Sequence, residues 1–292
     1  PDAVDLYTIP AEGGEHEEIE TPFGPKKHPS YSPNGRWISY CGREGRGEWW
    51  RLNSLWVVPS DREGEARNLT EEYDLYVGNV TLNDLKADTL DAPPVWSADS
   101  KRIYFQNSHR GNTYLRSISP EGELSDVITH KGVVGTFSMD GESHRITYLF
   151  GSMKDPCQIY THNLESGKSV KITNINRKLL KKYERVSVEE VYIDGNAGAE
   201  IHGWVMKPPD FEEGGECPSI LEIHGGPRMQ YGNLFMHEFF YLVENGYIVY
   251  FSNPRGSQGY GEEFSKELWN EWGAIAFEDL MKFNEFMQDM EY

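Results

Sequence analysis

The chain has 292 residues, enough for two ordinary domains. Its hydrophobic content of 38% and charged content of 26% are typical of a folded globular protein and exclude a disordered one. The 28 basic and 47 acidic residues leave a net charge of −19, which would repel a phosphate backbone and argues against a nucleic acid partner.

The cysteines and the apolar runs limit where the protein could work. Cys41, Cys157 and Cys217 are odd in number and lack metal-ligand spacing, which favours free thiols in a reducing compartment such as the cytoplasm. No apolar run approaches the roughly 20 residues that span a bilayer. We therefore expect a cytoplasmic protein without a membrane partner.

The first half of the sequence repeats two phrases in alternation. The first phrase is a small turn followed by a strand-like run; in its first copy Trp37, Ser39 and Cys41 alternate with Ile38 and Tyr40. Its three copies are "HPSYSPNGRWISYCG" (28–42), "APPVWSADSKRIYFQNS" (92–108) and "GTFSMDGESHRITYLFGS" (135–152). The second phrase predicts a hairpin each time, in "DLYTIPAEGGEHEEIET", "SLWVVPSDREGEARNLT", "YLRSISPEGELSDVIT" and "IYTHNLESGKSVKIT".

Paired strands that recur in this way are typical of β-propeller blades. A β-sandwich is the alternative, although it would not be expected to repeat one turn phrase in register. The phrases resemble the WD40-like blades shared by TolB and the prolyl oligopeptidase family. Three to four blades can be counted, fewer than such propellers need to close, so we expect an incomplete propeller. Residues 71–93 read as an inserted loop.

After a charged link (174–190) the pattern changes to that of an α/β sheet. The predicted order is a hairpin, a buried strand, a helix ended by Gly246, an apolar strand and an amphipathic helix. These elements lie in "VSVEEVYI" with "EIHGWVMKP", in "PSILEIHG", in "LFMHEFFYLVENG", in "YIVYFSNP" and in "GAIAFEDLMKFNEFMQDMEY". The helical stripe is Ala276, Leu280, Phe283, Met287 and Met290. A further strand should follow, but the sequence ends at Tyr292, so we expect a piece of a longer chain.

The motif His224-Gly225-Gly226-Pro227 comes directly after the predicted buried strand. Two glycines leave backbone N–H groups open, and such groups can stabilise the negative oxygen that forms when a carbonyl is attacked. A plain strand-to-loop turn is the alternative, since paired glycines mark many turns. A phosphate cradle is disfavoured because no Gly-Lys-Ser/Thr follows.

A second loop, "SNPRGSQGYGEEF" (252–264), strengthens the catalytic interpretation. Together with "HGGP" and a helix carrying Trp272-Gly273 and Glu278-Asp279-Leu280, it closely resembles the serine peptidases of the prolyl oligopeptidase (S9) family, in particular the acylaminoacyl-peptidase branch. The resemblance implies an all-β propeller, incomplete here, over residues 1–175. It also implies the N-terminal part of an α/β-hydrolase domain over residues 176–292.

The resemblance also implies roles for individual residues. Gly226 would be the oxyanion-hole N–H donor, with Gly225 beside it and His224 shaping the loop. Pro227 would fix the exit of that loop, and Arg255 and Tyr260 would hold the second loop, the guanidinium through backbone carbonyls.

The catalytic triad of such a hydrolase is missing from the sequence. No Gly-x-Ser-x-Gly elbow occurs, and the nearest run, Arg255-Gly256-Ser257-Gln258-Gly259, has arginine at the first glycine position and lies before the elbow in the family. Ser257 is therefore disfavoured as the nucleophile, and Ser, Asp and His are expected beyond Tyr292.

Two further motifs are weaker. "HEFFY" (237–241) begins like a zinc motif, but Tyr241 stands where the second histidine ligand is required, so no metal is expected. The triplets at Asn68 and Asn79 match the glycosylation acceptor, which matters only in a secreted protein.

The leading hypothesis is a peptidase that hydrolyses short or N-blocked peptides through an acyl-enzyme, with this chain inactive alone. It needs a peptide substrate, no cofactor and the remainder of its own polypeptide as a partner; a homo-oligomer is left open. The alternatives are a non-catalytic propeller that binds a peptide or partner, and an esterase with the same oxyanion hole.

Overall fold

The computed structural model describes residues 3–85, 91–212 and 214–290, and these are mostly β-sheet. The strands of the first half are β1 (Leu6–Thr8), β2 (Glu17–Ile19), β3 (Lys26–Tyr31), β4 (Trp37–Gly42), β5 (Ser54–Pro59), β6 (Arg67–Asn68), β7 (Tyr76–Val77), β8 (Val95–Trp96), β9 (Ile103–His109), β10 (Asn112–Ile118), β11 (Leu124–Ile128), β12 (Val133–Met139), β13 (Arg145–Ser152), β14 (Asp155–Asn163) and β15 (Lys168–Lys171). The second half contains α1 (Arg177–Leu180), β16 (Ser187–Asp194), β17 (Glu200–Lys207), β18 (Ser219–Glu222), α2 (His237–Glu244), β19 (Ile248–Asn253), α3 (Glu262–Lys266) and α4 (Ile275–Gln288).

The first half builds the same antiparallel unit three times. We call the units the repeat sheets: β3–β6, β8–β11 and β12–β15, each paired in sequence order. The second and third are joined by one parallel pair, β10–β12, into a nine-stranded sheet that also includes β7. All four predicted hairpins are confirmed, as β1–β2, β5–β6, β10–β11 and β14–β15. The alternation in β4 is also confirmed, because Cys41 packs in one apolar cluster while Ile38 and Tyr40 pack in another.

The repeated turns link one repeat sheet to the next. The Asn34 N–H donates to Ser100 Oγ at 3.0 Å, and the Ala98 N–H donates to Ser143 Oγ at 2.8 Å. The same contact thus recurs between successive sheets at the turn of the repeated phrase. The sheets do not close on themselves within the described residues, so the propeller stays a prediction.

The second half forms a four-stranded mixed sheet in the order β16-β17-β19-β18. The pair β18–β19 is parallel, and the predicted hairpin β16–β17 is antiparallel. One face of the sheet packs on α2 through Phe239, Phe240 and Val243, and the other packs on α4 through Phe283 and Met287. The α/β layering expected from the sequence is therefore present.

Two predicted elements differ from the structure. The strand "PSILEIHG", predicted to be buried, is the short and half-exposed β18, because it lies at the edge of the described sheet and has one neighbour. Helix α2 begins at His237, after Phe235. Its first N–H groups, at His237 and Glu238, donate to the Asp84 carboxylate at 2.8 and 2.6 Å.

The inserted segment 71–93 and the charged link 174–190 both contact the α/β sheet. The insertion contains a 3₁₀ turn, Glu71–Tyr73, and β7; its residues 86–90 lie outside the described residues. Leu82 and Leu85 pack against the cluster on the α2 face. In the link, Tyr183 is buried and packs against the rings of Phe235 and Phe240.

A buried junction joins the two halves. The Gln230 side chain donates to Thr81 Oγ1 at 2.8 Å and accepts the Gly111 N–H at 3.0 Å. Beside it the backbones of Gly111 and Gly232 touch so closely that a Cβ on Gly232 would lie 2.1 Å from the Gly111 oxygen. The division into domains at residues 175 and 176 stays a prediction, but contact between the halves is extensive here.

Candidate functional site

The His224-Gly225-Gly226-Pro227 loop leaves the carboxyl end of β18, at the sheet edge. Gly225 and Gly226 are exposed, and their N–H groups have no hydrogen-bond partner among the described residues. Gly226 has φ +132°, and a Cβ there would meet Met229 Cγ at 2.9 Å, so the position requires glycine. The loop therefore presents bare donors to the surface, outside any strand ladder.

His224 points back from this loop towards the second one. Its Nε2 lies 3.1 Å from Asn253 Oδ1 and 3.2 Å from Ser257 Oγ, and its ring stands edge-on to Tyr231. Nδ1 lies 3.0 Å from the Gly225 carbonyl oxygen. Burial lowers the pKa of His224, so the ring is neutral at pH 7 and carries one proton for two acceptors, the Asn253 oxygen facing Nε2 and the Gly225 carbonyl facing Nδ1.

Asn253, the last residue of β19, ties the two loops together. Its Oδ1 accepts the Tyr231 N–H at 2.7 Å, and its Nδ2 donates to the Tyr231 carbonyl at 2.9 Å and to Tyr260 Oη at 2.7 Å. The Tyr260 hydroxyl also lies 2.7 Å from His202 Nδ1. Tyr260 thus contacts the strand end and the middle of β17 rather than the exposed surface of the site.

His202 is fully buried in β17, and its Nε2 lies 2.8 Å from Glu190 Oε1 on β16. Burial lowers the pKa of His202. Burial would raise the pKa of Glu190, but hydrogen bonds from His202 and Lys131 outweigh it and lower that pKa to about 2. Glu190 is therefore an ionised acceptor for a neutral histidine.

Arg255 holds the second loop to α4. Its Nε donates to Asp279 Oδ2 at 2.9 Å, its Nη2 to Asp279 Oδ1 at 2.8 Å and its Nη1 to Glu267 at 3.0 Å, while its own backbone N–H also donates to Asp279. The partners of this guanidinium are thus carboxylates and not the backbone carbonyls that we expected. Asp279 is fully buried, so the contact fixes loop and helix together.

Ser257 is poorly placed to act as a nucleophile. Only 1% of its surface is exposed, and its hydroxyl donates to the Pro254 carbonyl at 2.7 Å. Its Oγ lies close to His224, as a nucleophile would to a base, but it faces the interior of the loop. Ser257 therefore belongs to the loop's internal hydrogen bonding.

The two weaker motifs are engaged in the fold. In "HEFFY" the backbone N–H groups of His237 and Glu238 bind Asp84, and Tyr241 is exposed. Asn68 Oδ1 accepts from Thr70, and Asn79 Oδ1 accepts from Thr113 and from the Thr81 N–H. The side-chain oxygen of each asparagine is thus hydrogen-bonded within the fold. No helix in the described part of the chain is long and apolar enough to cross a membrane.

Four residues of this site were missed by sequence reasoning: Glu190, His202, Asn253 and Asp279. His202 and Asn253 sit in strand runs that look purely structural, and Asp279 sits beside the apolar stripe of α4. The one available signal was polarity within otherwise apolar elements, since a buried polar side chain needs a partner.

Comparison with known proteins shows which proteins this chain is similar to. Residues 233–292 match the family model of the prolyl oligopeptidase family. An uncharacterised peptidase, YuxL of Bacillus subtilis, is 29% identical over 231 residues, which cover 79% of this chain and 35% of the relative. Dipeptidyl-peptidase 5 of Arthroderma otae is 25% identical over 97% of this chain and 39% of the relative. The chain thus spans little more than a third of the length of these relatives.

The fold agrees with a solved structure. An acylaminoacyl peptidase of Pyrococcus horikoshii superposes with a TM-score of 0.78 and 22% identity, over 98% of this chain and 41% of that one. A puromycin-hydrolysing peptidase of Mycobacterium tuberculosis superposes with a TM-score of 0.69 and 18% identity over 98% of this chain. Residues 233–292 are thus similar to the prolyl oligopeptidase family, and the fold of the chain is similar to that of an acylaminoacyl peptidase.

Proposed function

We propose that this chain supplies the oxyanion loop of a serine peptidase that hydrolyses short or N-blocked peptides through an acyl-enzyme. Gly226 donates its backbone N–H to the oxyanion, with Gly225 beside it and His224 shaping the loop. The nucleophile, its base and the acid come from polypeptide outside the 292 residues, so the chain alone is inactive. The family and the acylaminoacyl-peptidase fold support this reading.

The single observation that carries the proposal is the pair of unpaired, exposed N–H groups at Gly225 and Gly226. Donors aimed at a developing oxyanion must be held rigidly and must not be satisfied in the ground state by the fold. The loop meets both conditions, since Gly226 packs against Met229 and His224 is tied to Asn253. A plain turn would have no need of the buried polar support behind it.

The remaining parts of the proposal concern the whole protein. The repeat sheets are blades of an incomplete propeller that restricts access to peptides, and the protein works in the cytoplasm without a cofactor. Cys41, Cys157 and Cys217 are free thiols in the fold, which suits a reducing compartment. A propeller cap favours peptides over small esters as substrates.

The test uses the complete polypeptide that contains this chain. We expect it to cleave an acylaminoacyl p-nitroanilide faster than a p-nitrophenyl ester of similar size, and a fluorophosphonate to block it. Gly226→Ala should lower kcat by about 10²-fold or more with little change in KM, because a displaced oxyanion donor is missed mainly in the transition state.

Gly225→Ala is the matched control. A Cβ at Gly225 meets no atom within 4 Å and leaves the N–H in place, so kcat should stay near that of the unchanged protein. Equal kcat values for the two variants would refute the role of Gly226. Fluorophosphonate-sensitive turnover by the 292-residue chain itself would refute the claim that its nucleophile lies elsewhere.

A further inference from the structure

We propose that His202 and Tyr260 are positioning residues for the oxyanion loop, acting through a hydrogen-bonded chain that runs from His224 by Asn253, Tyr260 and His202 to Glu190. The inference rests on the proposed function of that loop. It assigns a role to four residues, Glu190, His202, Asn253 and Tyr260, that are not hydrogen-bonded to the exposed glycines.

The orientation of the Asn253 amide determines the protons from Asn253 to Glu190, and the inference places the His224 proton on Nε2. Its Oδ1 faces the Tyr231 backbone N–H, a pure donor, and its Nδ2 faces the Tyr231 carbonyl, a pure acceptor. The second hydrogen of Nδ2 is therefore donated to the Tyr260 oxygen. The remaining lone pair of Oδ1 accepts from His224 Nε2.

The Tyr260 hydroxyl must then donate its own proton to its other neighbour. That neighbour is His202 Nδ1 at 2.7 Å, which is consequently unprotonated. The single proton of the neutral His202 ring lies on Nε2 and is donated to Glu190 Oε1 at 2.8 Å. All four donors thus point the same way, towards an ionised carboxylate.

A chain of donors in one direction is polarised along its length, so each bond strengthens the next. The rings in it have little freedom. His202 stacks on Tyr192 at 4.3 Å and packs against the tilted ring of Trp204 at 4.1 Å, and His224 stands edge-on to Tyr231 at 5.0 Å. Glu190 is anchored by Lys131 from the turn before β12. The far end of the chain, on β16, is therefore tied to the turn before β12, and the near end contacts the His224 ring beside Gly225.

The first test is spectroscopic and needs no activity. In the 292-residue chain with ¹⁵N-labelled histidine, long-range ¹H–¹⁵N spectra should show His202 and His224 as Nε2–H tautomers, assigned with His202→Gln and His224→Gln. Tyr260→Phe removes one hydroxyl and should shift the ring nitrogens of both histidines. A shift at His202 alone, or an Nδ1–H tautomer at His202, would overturn the inference.

Tyr250→Phe is the matched control. The Tyr250 hydroxyl donates to Asn284 at 2.6 Å on the α4 side of the sheet, so its loss removes a comparable hydrogen bond outside the chain. We expect the His202 and His224 signals to stay unchanged in this variant. Movement of these signals in both variants alike would mean a general response to lost hydroxyls and would also overturn the inference.

The second test separates this inference from the proposed function. In the complete polypeptide, Tyr260→Phe should lower kcat about tenfold with KM nearly unchanged, the loss expected for one misplaced hydrogen bond in the transition state, while Tyr250→Phe should change neither. If the enzyme is active and Tyr260→Phe leaves its kcat unchanged, the inference is contradicted and the proposed function is not. If Tyr260→Phe shifts the signals of both His202 and His224 but the complete polypeptide has no peptidase activity, the proposed function is contradicted and the hydrogen-bonded chain is not.

Discussion

The Arg255 guanidinium is 4% exposed and faces Asp279, which is completely buried. Burying two charges is costly unless they pair well and their hydrogen bonds are satisfied. Here the carboxylate accepts from Nε, from Nη2 and from the Arg255 backbone N–H, and Glu267 takes a further donor. The pair holds the loop after β19 against α4 and so supports the second side of the candidate site.

Removing the charge from Asp279 should lower the free energy of unfolding. Asp279→Asn keeps the shape of the side chain but leaves a buried guanidinium with one half-exposed carboxylate, so we expect a loss of about 3 kcal/mol in the free energy of unfolding. Urea unfolding followed by circular dichroism measures it. Glu278→Gln is the control, because that carboxylate is 55% exposed and 4.0 Å away; its effect should stay below about 0.5 kcal/mol. Equal losses in the two variants would contradict the role given to the buried pair.

At the residue scale, the sequence was sufficient to find the glycine loop and insufficient to find its support. The motif His224-Gly225-Gly226-Pro227 is local, so its chemistry can be read from adjacent letters. Arg255 and Asp279 are 24 positions apart, and His202 and Tyr260 are 58 apart. Their pairing depends on how α4 and β17 pack against the loop, which one sequence does not state.

Among the elements, the contact of Gly111 with Gly232 decides how closely the β9–β10 turn approaches the α/β sheet. A Cβ on Gly232 would lie 2.1 Å from the Gly111 oxygen and 2.9 Å from its Cα, both backbone atoms that cannot rotate away. The turn is also held by Gln230, so it has no easy direction in which to move.

Gly232→Ala should therefore destabilise the protein by about 1–3 kcal/mol or more, the usual cost of forcing extra atoms into a packed region. The thermal unfolding midpoint reports this. Gly141→Ala is the control, since neither glycine has a positive φ and a Cβ at Gly141 meets nothing within 4 Å. Identical midpoints for the two variants would show that the junction is looser than described.

A strand or helix was predicted most accurately where its own composition indicates its surroundings. The strand β19 begins with the apolar run 248–251 and is buried throughout, as that run indicated, although its last two residues, Ser252 and Asn253, are polar. The strand β18 was predicted to be longer and more buried, because an apolar run does not reveal that it lies at a sheet edge. The start of α2 was misjudged because the residue that binds its first N–H groups lies in the other half of the chain.

On the scale of the whole molecule, burial shifts the pKa of five of the nine histidines in the same direction. Burial lowers the pKa of His28, His109, His162, His202 and His224. The unfolded chain, with histidine pKa values of about 6.5, then binds more protons than the folded one below that pH. This contribution to stability is complete above pH ~6.5 and is lost as the pH falls.

We therefore expect the urea midpoint to fall between pH 7.5 and pH 5.5. The net charge of −19 acts in the opposite direction, since protonation relieves repulsion, so the titration should be made in ~0.3 M salt, which screens that term. A constant m value would show that stability and not the unfolding reaction has changed. A midpoint that is constant or higher at pH 5.5 would contradict the prediction.

The arrangement of strands in the first half could be predicted to the extent that the sequence repeats. The second repeated phrase predicted a hairpin each time, and the structure adds the serine contacts that connect one repeat sheet to the next. Whether the sheets close into a ring depends on residues that meet edge to edge, and the repeat phrases carry no information on that.

The Asp84 carboxylate at the start of α2 has a consequence for how the chain folds. A helix normally finds its capping group in the preceding residue, whereas here the group is 153 positions away. The order of assembly is thus constrained: α2 can gain its full helicity only after the β7–β8 insertion has reached it. That raises the contact order of the polypeptide and favours slow, concerted folding over independent formation of its C-terminal layer.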